Sequence, residues 1–202
     1  MVTVRVAPID RALPTPLPGQ FMMIWMFGIG EVPISVSNCT ADGSLDLTVQ
    51  AVGKTSTAIT EAKVGDVVGL RGPFGTSWPV AQAAGLDVVV MAGGLGLAPL
   101  RMAIEALLPG ELSTRKLTVL VGARRPENLL FPDDVGRWTE MGATVRTTVD
   151  AADRTWHGAV GVVTTLLTRE PLHELAYVCG PEVMMAASAR ALMQQGMPAD
   201  RI

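Results

Sequence analysis

The chain has 202 residues, 49% of them hydrophobic and 17% charged, with a formal net charge of −3. That length and apolar content predict one large domain or two small ones with a real core, and exclude a disordered chain. The slight acidity and an aromatic content of 4% give no basic, base-stacking surface for nucleic acid. The longest apolar candidate, Phe21 to Ile29, is too short to span a membrane and runs into Glu31. The N-terminus lacks the charged start and apolar run of a signal peptide, so a cytoplasmic protein is expected. Cys39 and Cys179 have no metal-ligand spacing, and each is expected as a free buried thiol. His157 and His173 lack the spacing of a zinc site and read as surface or packing residues.

Residues 1–80 read as β structure. Val2 to Val6 alternates, and Pro14, Pro16, Pro18 and Gly19 form a broken loop. Phe21 to Phe27 and Val32 to Ser37 read as strands. Asp42-Gly43 signals a hairpin into the alternating run Ser44 to Gln50. Gly53-Lys54-Thr55-Ser56-Thr57 gathers backbone N–H groups, hydroxyls and one lysine after a strand. It suits a phosphate if a helix starts there, although the residues alone favour a capped helix start with solvated hydroxyls. Val64 to Asp66 is a turn, and Val67 to Leu70 a strand. Arg71 to Pro79 reads as a rigid exposed loop that offers Phe74 and Trp78 as flat faces, or as an interdomain linker.

From about residue 85 the pattern becomes strand–helix alternation. Val88 to Met91 is a short, mostly β-branched run of the kind a parallel strand buries on both faces. Gly93, Gly94 and Gly96 follow, and then a helix over Pro99 to Leu108, with Pro99 near its first turn and Pro109-Gly110 ending it. A glycine turn before a helix N-terminus is either an anion site or a tight strand-to-helix turn. Leu117 to Val121 is a second buried strand. The loop behind it carries Arg124 and Arg125, which can meet a phosphate or stay solvated. Asn128 to Met141 reads as helix and Thr144 to Val149 as strand. Trp156 to Gly161 reads as a turn-rich link, and Val162 to Leu167 as a helix start. Ala176 to Cys179 reads as a strand ending in Gly180-Pro181, and Val183 to Gln195 as a helix. Met184, Met185 and Met193 are expected in the core, and Asp200 to Ile202 as the start of a further strand.

Several strings in this order resemble the ferredoxin–NADP reductase superfamily: Pro18-Gly-Gln-Phe21, Pro33-Ile-Ser35, Gly53-Lys-Thr-Ser56, Gly72-Pro-Phe-Gly75, Ala92 to Pro99, Gly122-Ala-Arg124 and Cys179-Gly-Pro181. The branch most resembled is that of the FAD-binding electron-transfer (gamma) subunits of NAD(P)-linked nickel–iron hydrogenases and sulfhydrogenases. The electron-transfer subunit of dihydroorotate dehydrogenase is a close relative. The resemblance implies a β plus α/β fold: an antiparallel Greek-key β-barrel for FAD over 1–80, then a Rossmann-like parallel-sheet NAD(P)-binding domain over 85–202. It implies that Pro33, Ile34 and Ser35 lie along the flavin ring and that Gly53, Lys54, Thr55 and Ser56 cradle the FAD diphosphate. It places Gly93, Gly94, Gly96 and Leu97 at the NAD(P) diphosphate. Cys179, Gly180 and Pro181 then bring the nicotinamide toward the flavin, with Ser35 and Cys179 closest to the chemistry.

The chain also departs from the superfamily. The flavin strand commonly reads Arg-x-Tyr-Ser, whereas Val32 and Ile34 stand at the arginine and tyrosine positions. The cysteine-rich segment that holds a [2Fe–2S] cluster in the family is missing, and the N-terminus looks one barrel strand short. The implied function is FAD-dependent electron transfer between NAD(P)H and an iron–sulfur centre, as the diaphorase-type subunit of a hydrogenase-like complex. The implied partners are hydrogenase-like or other iron–sulfur redox subunits. Alternatives are the dihydroorotate dehydrogenase electron-transfer subunit, a stand-alone flavin or ferredoxin reductase, and a non-catalytic nucleotide-binding subunit. Arg124 and Arg125 leave NAD and NADP both open.

Overall fold

The computed structural model describes residues 1–108, 114–169 and 172–202. The chain divides into two compact units, Met1–Trp78 and Pro79–Ile202. The first holds β1 (Val2–Val6), β2 (Phe21–Met26), β3 (Gly30–Cys39), β4 (Leu45–Val49), helix α1 (Lys54–Glu61) and β5 (Gly69–Phe74). These form one antiparallel sheet in the order β1-β4-β3-β2-β5. Consecutive strands β2, β3 and β4 are neighbours, and β1 returns beside β4, which is a Greek-key arrangement. The hairpin at Asp42-Gly43 forms as expected. The Asp42 carboxylate accepts the Ser44 backbone N–H at 3.1 Å, and Gly43 takes φ +80°.

The alternating strand β4 forms as expected, and the whole of it is buried. Leu45, Leu47 and Val49 enter the core, while the opposite face is satisfied internally. The Asp46 carboxylate accepts Arg5 Nε and Nη2 at 2.7 and 2.9 Å and Asn38 Nδ2 at 3.1 Å, and Thr48 Oγ1 donates to Ser37 Oγ at 3.1 Å. Lying between β1 and β3, β4 can bury polar residues because each has a partner. The strand expected over Val67–Leu70 instead begins at Gly69 and takes in Arg71–Phe74, the start of the supposed loop. Pro73 is tolerated because β5 ends the strand order.

The second unit is a parallel sheet in the order β10-β6-β7-β8-β9. Its strands are β6 (Asp87–Gly93), β7 (Lys116–Ala123), β8 (Thr144–Val149), β9 (Ala159–Val160) and β10 (Leu175–Cys179). Helix α2 (Leu97–Leu107) follows β6, α3 (Pro132–Glu140) precedes β8, and α4 (Glu182–Gln194) follows β10. Val88 to Ala92 are fully buried, as a strand covered on both faces requires. At the N-terminal edge, Arg115 ties three strands together: its guanidinium pairs with Asp87 at 2.8 Å and with Glu174.

Other expectations also change. The helix expected over Asn128–Met141 is broken into a 3₁₀ turn at Pro126–Asn128 and α3, with Phe131 between them at φ +51°. Pro132 drives its predecessor out of the right-handed helical region. Val162–Leu167 does not open an α-helix; Val163–Arg169 is a 3₁₀ helix. There the Thr165 and Thr168 hydroxyls donate back to the carbonyls of Val162 and Thr165, at 2.7 and 2.9 Å, and so compete with α-helical bonding. The expected terminal strand is a 3₁₀ turn, Ala199–Arg201, set up by Pro198. Both cysteines are free but half-buried rather than fully buried. Met193 is exposed rather than in the core. The expected helix stop at Pro109-Gly110 lies outside the described residues.

Candidate functional site

In the parallel sheet, β6 lies between β7 on one side and the edge strand β10 on the other. The chain leaves β6 toward β7 and later returns to its far side as β10. That reversal of strand order opens a crevice at the carboxyl ends of the two strands, the place where open α/β sheets bind ligands. The loop leaving β6 is Gly93-Gly94-Leu95-Gly96, a 3₁₀ turn running straight into α2. The loop leaving β10 is Cys179-Gly180-Pro181, running into α4.

These two loops, distant in sequence, press together. A Cβ on Gly96 would overlap the Cys179 carbonyl oxygen and lie 2.7 Å from Gly180 Cα. A Cβ on Gly180 would lie 3.1 Å from both N and Cα of Gly93. Here glycine permits backbone to meet backbone. Gly94 differs: it adopts φ +52°, and a Cβ there would meet nothing within 4 Å. Gly94 therefore faces open space in a left-handed conformation that most residues avoid. The first N–H groups of such a turn have no partner inside it, which suits an anion.

Comparison with known proteins agrees with this geometry. The oxidoreductase NAD-binding domain family matches residues 90–190. A probable dihydroorotate dehydrogenase B (NAD(+)) electron transfer subunit from Methanocella arvoryzae is 36% identical over 185 residues, covering 89% of this chain and 64% of the relative. The sulfhydrogenase 2 gamma subunit of Pyrococcus furiosus is 31% identical over 202 residues, covering 92% of this chain and 69% of that protein. The chain belongs to the ferredoxin–NADP reductase superfamily. Among solved structures, the FAD/NAD-binding domain of a Vibrio cholerae nitric oxide dioxygenase matches 99% of this chain and 89% of that chain, with a TM-score of 0.84 at 20% identity. A ferredoxin reductase of carbazole 1,9a-dioxygenase matches 99% of this chain and 62% of that one, with a TM-score of 0.78 at 24% identity. These two show the shared fold.

Against the superfamily pattern, the remaining residues fall as follows. The Leu97 side chain is fully buried, and its N–H bonds to the carbonyls of Gly94 and Leu95. Leu97 therefore supports the turn from beneath. Arg124 and Arg125 follow β7 at the same edge of the sheet and are exposed. The loop after β8 is tied to them, since Ala151 N–H donates to the Arg124 carbonyl at 3.1 Å. Burial pushes the Cys179 thiol above the ordinary cysteine value, opposed in part by the Gly180 backbone N–H. Cys179 is thus a neutral thiol near neutral pH rather than a nucleophile.

In the first unit, α1 starts as expected at Lys54, with Gly53 as its N-cap. The buried Ser56 hydroxyl accepts the backbone N–H groups of Val52 and Gly53, both at 3.0 Å, and donates to the Gly53 carbonyl. It caps the helix. Gly53 and Lys54 remain exposed, and the first turn presents backbone donors. Gly30 at the start of β3 adjoins this turn: a Cβ there would lie 2.7 Å from Thr55 Oγ1. On β3, Pro33 pairs with Met23 and Ser35 with Phe21, while Ile34 pairs with the fully buried Met22. Alternation therefore sets Pro33 and Ser35 on one face and Ile34 on the other.

Two further residues, Arg71 on β5 and Met184 on α4, were not among the expected site residues. Arg71 grips both carboxylate oxygens of Glu31 at 2.7 Å, and holds that carboxyl below its usual range. Met184, in the first turn of α4, packs against Gly93 and Gly180. A helical position directly after Gly-Pro was the available signal for the latter. His173 is buried, with Nε2 3.1 Å from Thr118 Oγ1, a packing role as expected.

Among the described residues no group of three or more His, Cys, Asp or Glu could hold a metal ion. Among the described residues, too, no helix is long and apolar enough to cross a membrane.

Proposed function

We propose that this chain is an FAD-dependent NAD(P)H oxidoreductase of the electron-transfer type, passing electrons to an iron–sulfur centre in a partner subunit of a hydrogenase-like complex. The observation that carries the proposal is the meeting of Gly93–Gly96 with Cys179–Pro181 at the reversal of strand order. The chain spans about two thirds of the length of the curated relatives it matches, so activity, substrates and partners belong to this proposal. The bound nucleotide and flavin supply hydride and single-electron chemistry, and the chain supplies binding, orientation and electrostatics.

In this reading Gly93, Gly94 and Gly96 admit the nucleotide diphosphate to the start of α2, with Leu97 supporting them. Arg124 and Arg125 stand ready for a 2′-phosphate, which admits NADPH as well as NADH. Cys179, Gly180 and Pro181 seat the nicotinamide, with the neutral Cys179 thiol as packing surface and weak donor. Gly53, Lys54 and Thr55 receive the FAD diphosphate at the start of α1, where Ser56 fixes the turn. Pro33 and Ser35 present the outward face of β3 to the ring, and Ser35 supplies a hydroxyl. Ile34 shapes the strand from the opposite face. The proposed setting is the cytoplasm, supported by two free thiols.

The test is an anaerobic absorption spectrum of the purified chain with FAD, then with NADH or NADPH. A flavin spectrum that bleaches with either nucleotide is expected, and its preference identifies the cofactor. No flavin uptake at micromolar FAD refutes the flavoprotein reading. A second reading, the electron-transfer subunit of a dihydroorotate dehydrogenase, is favoured by the 36% identity to a relative of that name. Co-purification with a dihydroorotate-oxidising partner rather than a hydrogenase partner would decide for it.

A further inference from the structure

The expected core residue Met184 lies where the two loops of the nucleotide crevice meet. A Cβ on Gly93 would overlap Met184 Sδ and sit 3.5 Å from Met184 Cγ, and a Cβ on Gly180 would lie 2.6 Å from the same sulfur. One thioether therefore fills the space beside both glycines, one at the end of β6 and the other at the end of β10. It is half-buried and held by the first turn of α4, whose Met185 N–H donates to the Pro181 carbonyl at 3.0 Å. Its helix packs against β10 and the 3₁₀ helix Val163–Arg169. A methionine suits such an irregular gap, being unbranched and polarisable.

We propose that Met184 is a positioning residue that wedges the Cys179–Pro181 loop against the Gly93–Gly96 turn, and so sets where the nicotinamide end of the nucleotide rests. The inference rests on the nucleotide-site reading above. Removing Cγ, Sδ and Cε leaves a gap between two glycines, the residues with the least constrained backbones. The Cys179–Pro181 loop then gains freedom. The glycine turn keeps its support from Leu97 and α2. The variant should therefore hold the diphosphate end as before and misplace the reactive end.

The experiment compares Met184→Ala and Met184→Leu with the wild type by three measurements. Calorimetry reports binding of ADP-ribose, which lacks nicotinamide. Hydrogen exchange reports the peptide spanning residues 177–185. Anaerobic stopped flow reports bleaching of the FAD-loaded chain by saturating nucleotide. In Met184→Ala, ADP-ribose affinity is expected to stay within about twofold, loop exchange to accelerate, and bleaching to slow on the order of 10²-fold, the cost of misplacing a reacting group by about 1 Å. Met184→Leu, which keeps the volume, should restore both exchange and rate.

Wild-type exchange and bleaching in Met184→Ala overturn the inference. So does a parallel loss of ADP-ribose affinity and melting temperature, which would make the residue merely structural. Should Met184→Ala fail to fold, Met184→Val against Met184→Leu makes the same comparison with a smaller truncation. A wild-type chain that binds no ADP-ribose refutes the nucleotide site itself, an outcome separate from any result at Met184.

Discussion

Replacing Gly96 by alanine tests the convergence of the two loops most directly. The added Cβ would lie 2.5 Å from Cys179 C and 2.7 Å from Gly180 Cα, as well as overlapping the Cys179 carbonyl oxygen. All three are backbone atoms, so no side chain can swing aside. Carbon atoms pack at about 3.5–4.0 Å, so the loops must separate by about 1 Å. Overpacking of this kind costs about 1–3 kcal/mol, and a displacement of about 1 Å between reacting groups costs on the order of 10²-fold in rate. The assays are thermal melting, ADP-ribose calorimetry and anaerobic bleaching of the FAD-loaded chain. Gly94→Ala is the contrast. It meets no atom within 4 Å but keeps φ +52°, so its backbone cost is about 1–2 kcal/mol. The Gly94 variant should lose mainly ADP-ribose affinity, because its methyl enters the open space proposed for the diphosphate. The Gly96 variant should lose mainly rate. Gly96→Ala with wild-type stability and rate would refute the contact between the loops.

Charge reversal at Arg124 and Arg125 should weaken NADPH by on the order of tenfold more than NADH, since a bidentate arginine contact matches a phosphate; equal losses would remove these residues from the 2′-phosphate. Arg115 holds the Asp87 carboxyl below its ordinary value. Its folded value thus lies below the unfolded one, so the stabilisation is complete above the ordinary aspartate range and is lost as pH falls through the depressed value. The stability gap between wild type and Arg115→Leu should therefore be wider at about pH 7 than at about pH 3, and a gap independent of pH would contradict this. Trp138, fully buried, donates Nε1–H to Glu105 at 2.6 Å. Trp138→Phe should cost about 1 kcal/mol or more, because Glu105 loses a donor and the smaller ring leaves a gap; an unchanged urea midpoint would show that Glu105 recovers the loss elsewhere.

Local chemistry made much of the fold legible in the sequence. Val88 to Met91, the glycines behind them and Pro99 write out strand, turn and helix in consecutive residues. Asp42-Gly43 needs its own hydroxyl and carboxylate partners and little else. The misreadings arise where a neighbouring residue or strand outweighs the pattern. Pro132 reshapes Phe131 and splits a helix, and threonine hydroxyls tighten Val163–Arg169 into a 3₁₀ helix. The full burial of β4, by contrast, was no misreading of its alternation; it is set by the partners on both sides of the strand. At the site, the two glycine strings were each legible, but their contact was not. Gly96 meets Cys179 because β10 lies beside β6, a pairing set by the whole sheet. Met184 was legible as an apolar helical residue, and it becomes a wedge once that pairing exists.

Strand β3, proposed to lie along the flavin, shows how register bears on the departures from the superfamily pattern. Val32 and Ile34 stand where arginine and tyrosine are common, and their cross-strand partners are Ile24 and Met22. Both partners are essentially inaccessible to solvent. Cross-strand partners share a face, so a long charged side chain at 32 would have to leave an apolar layer to find a phosphate. Small apolar residues at 32 and 34 are what this register favours. The opposite face carries Glu31, Pro33 and Ser35 beside Trp25, Met23 and Phe21, with Arg71 paired to Met23 on β5 and gripping Glu31. The positive charge absent from position 32 therefore has a counterpart on the outward face, next to the residues proposed for the ring. The proposed flavin site therefore predicts that FAD affinity rests on Arg71 and the first turn of α1 rather than on a residue at 32. Arg71→Leu should then weaken FAD more than riboflavin, which lacks the diphosphate, and equal weakening of the two by fluorescence titration would exclude that role.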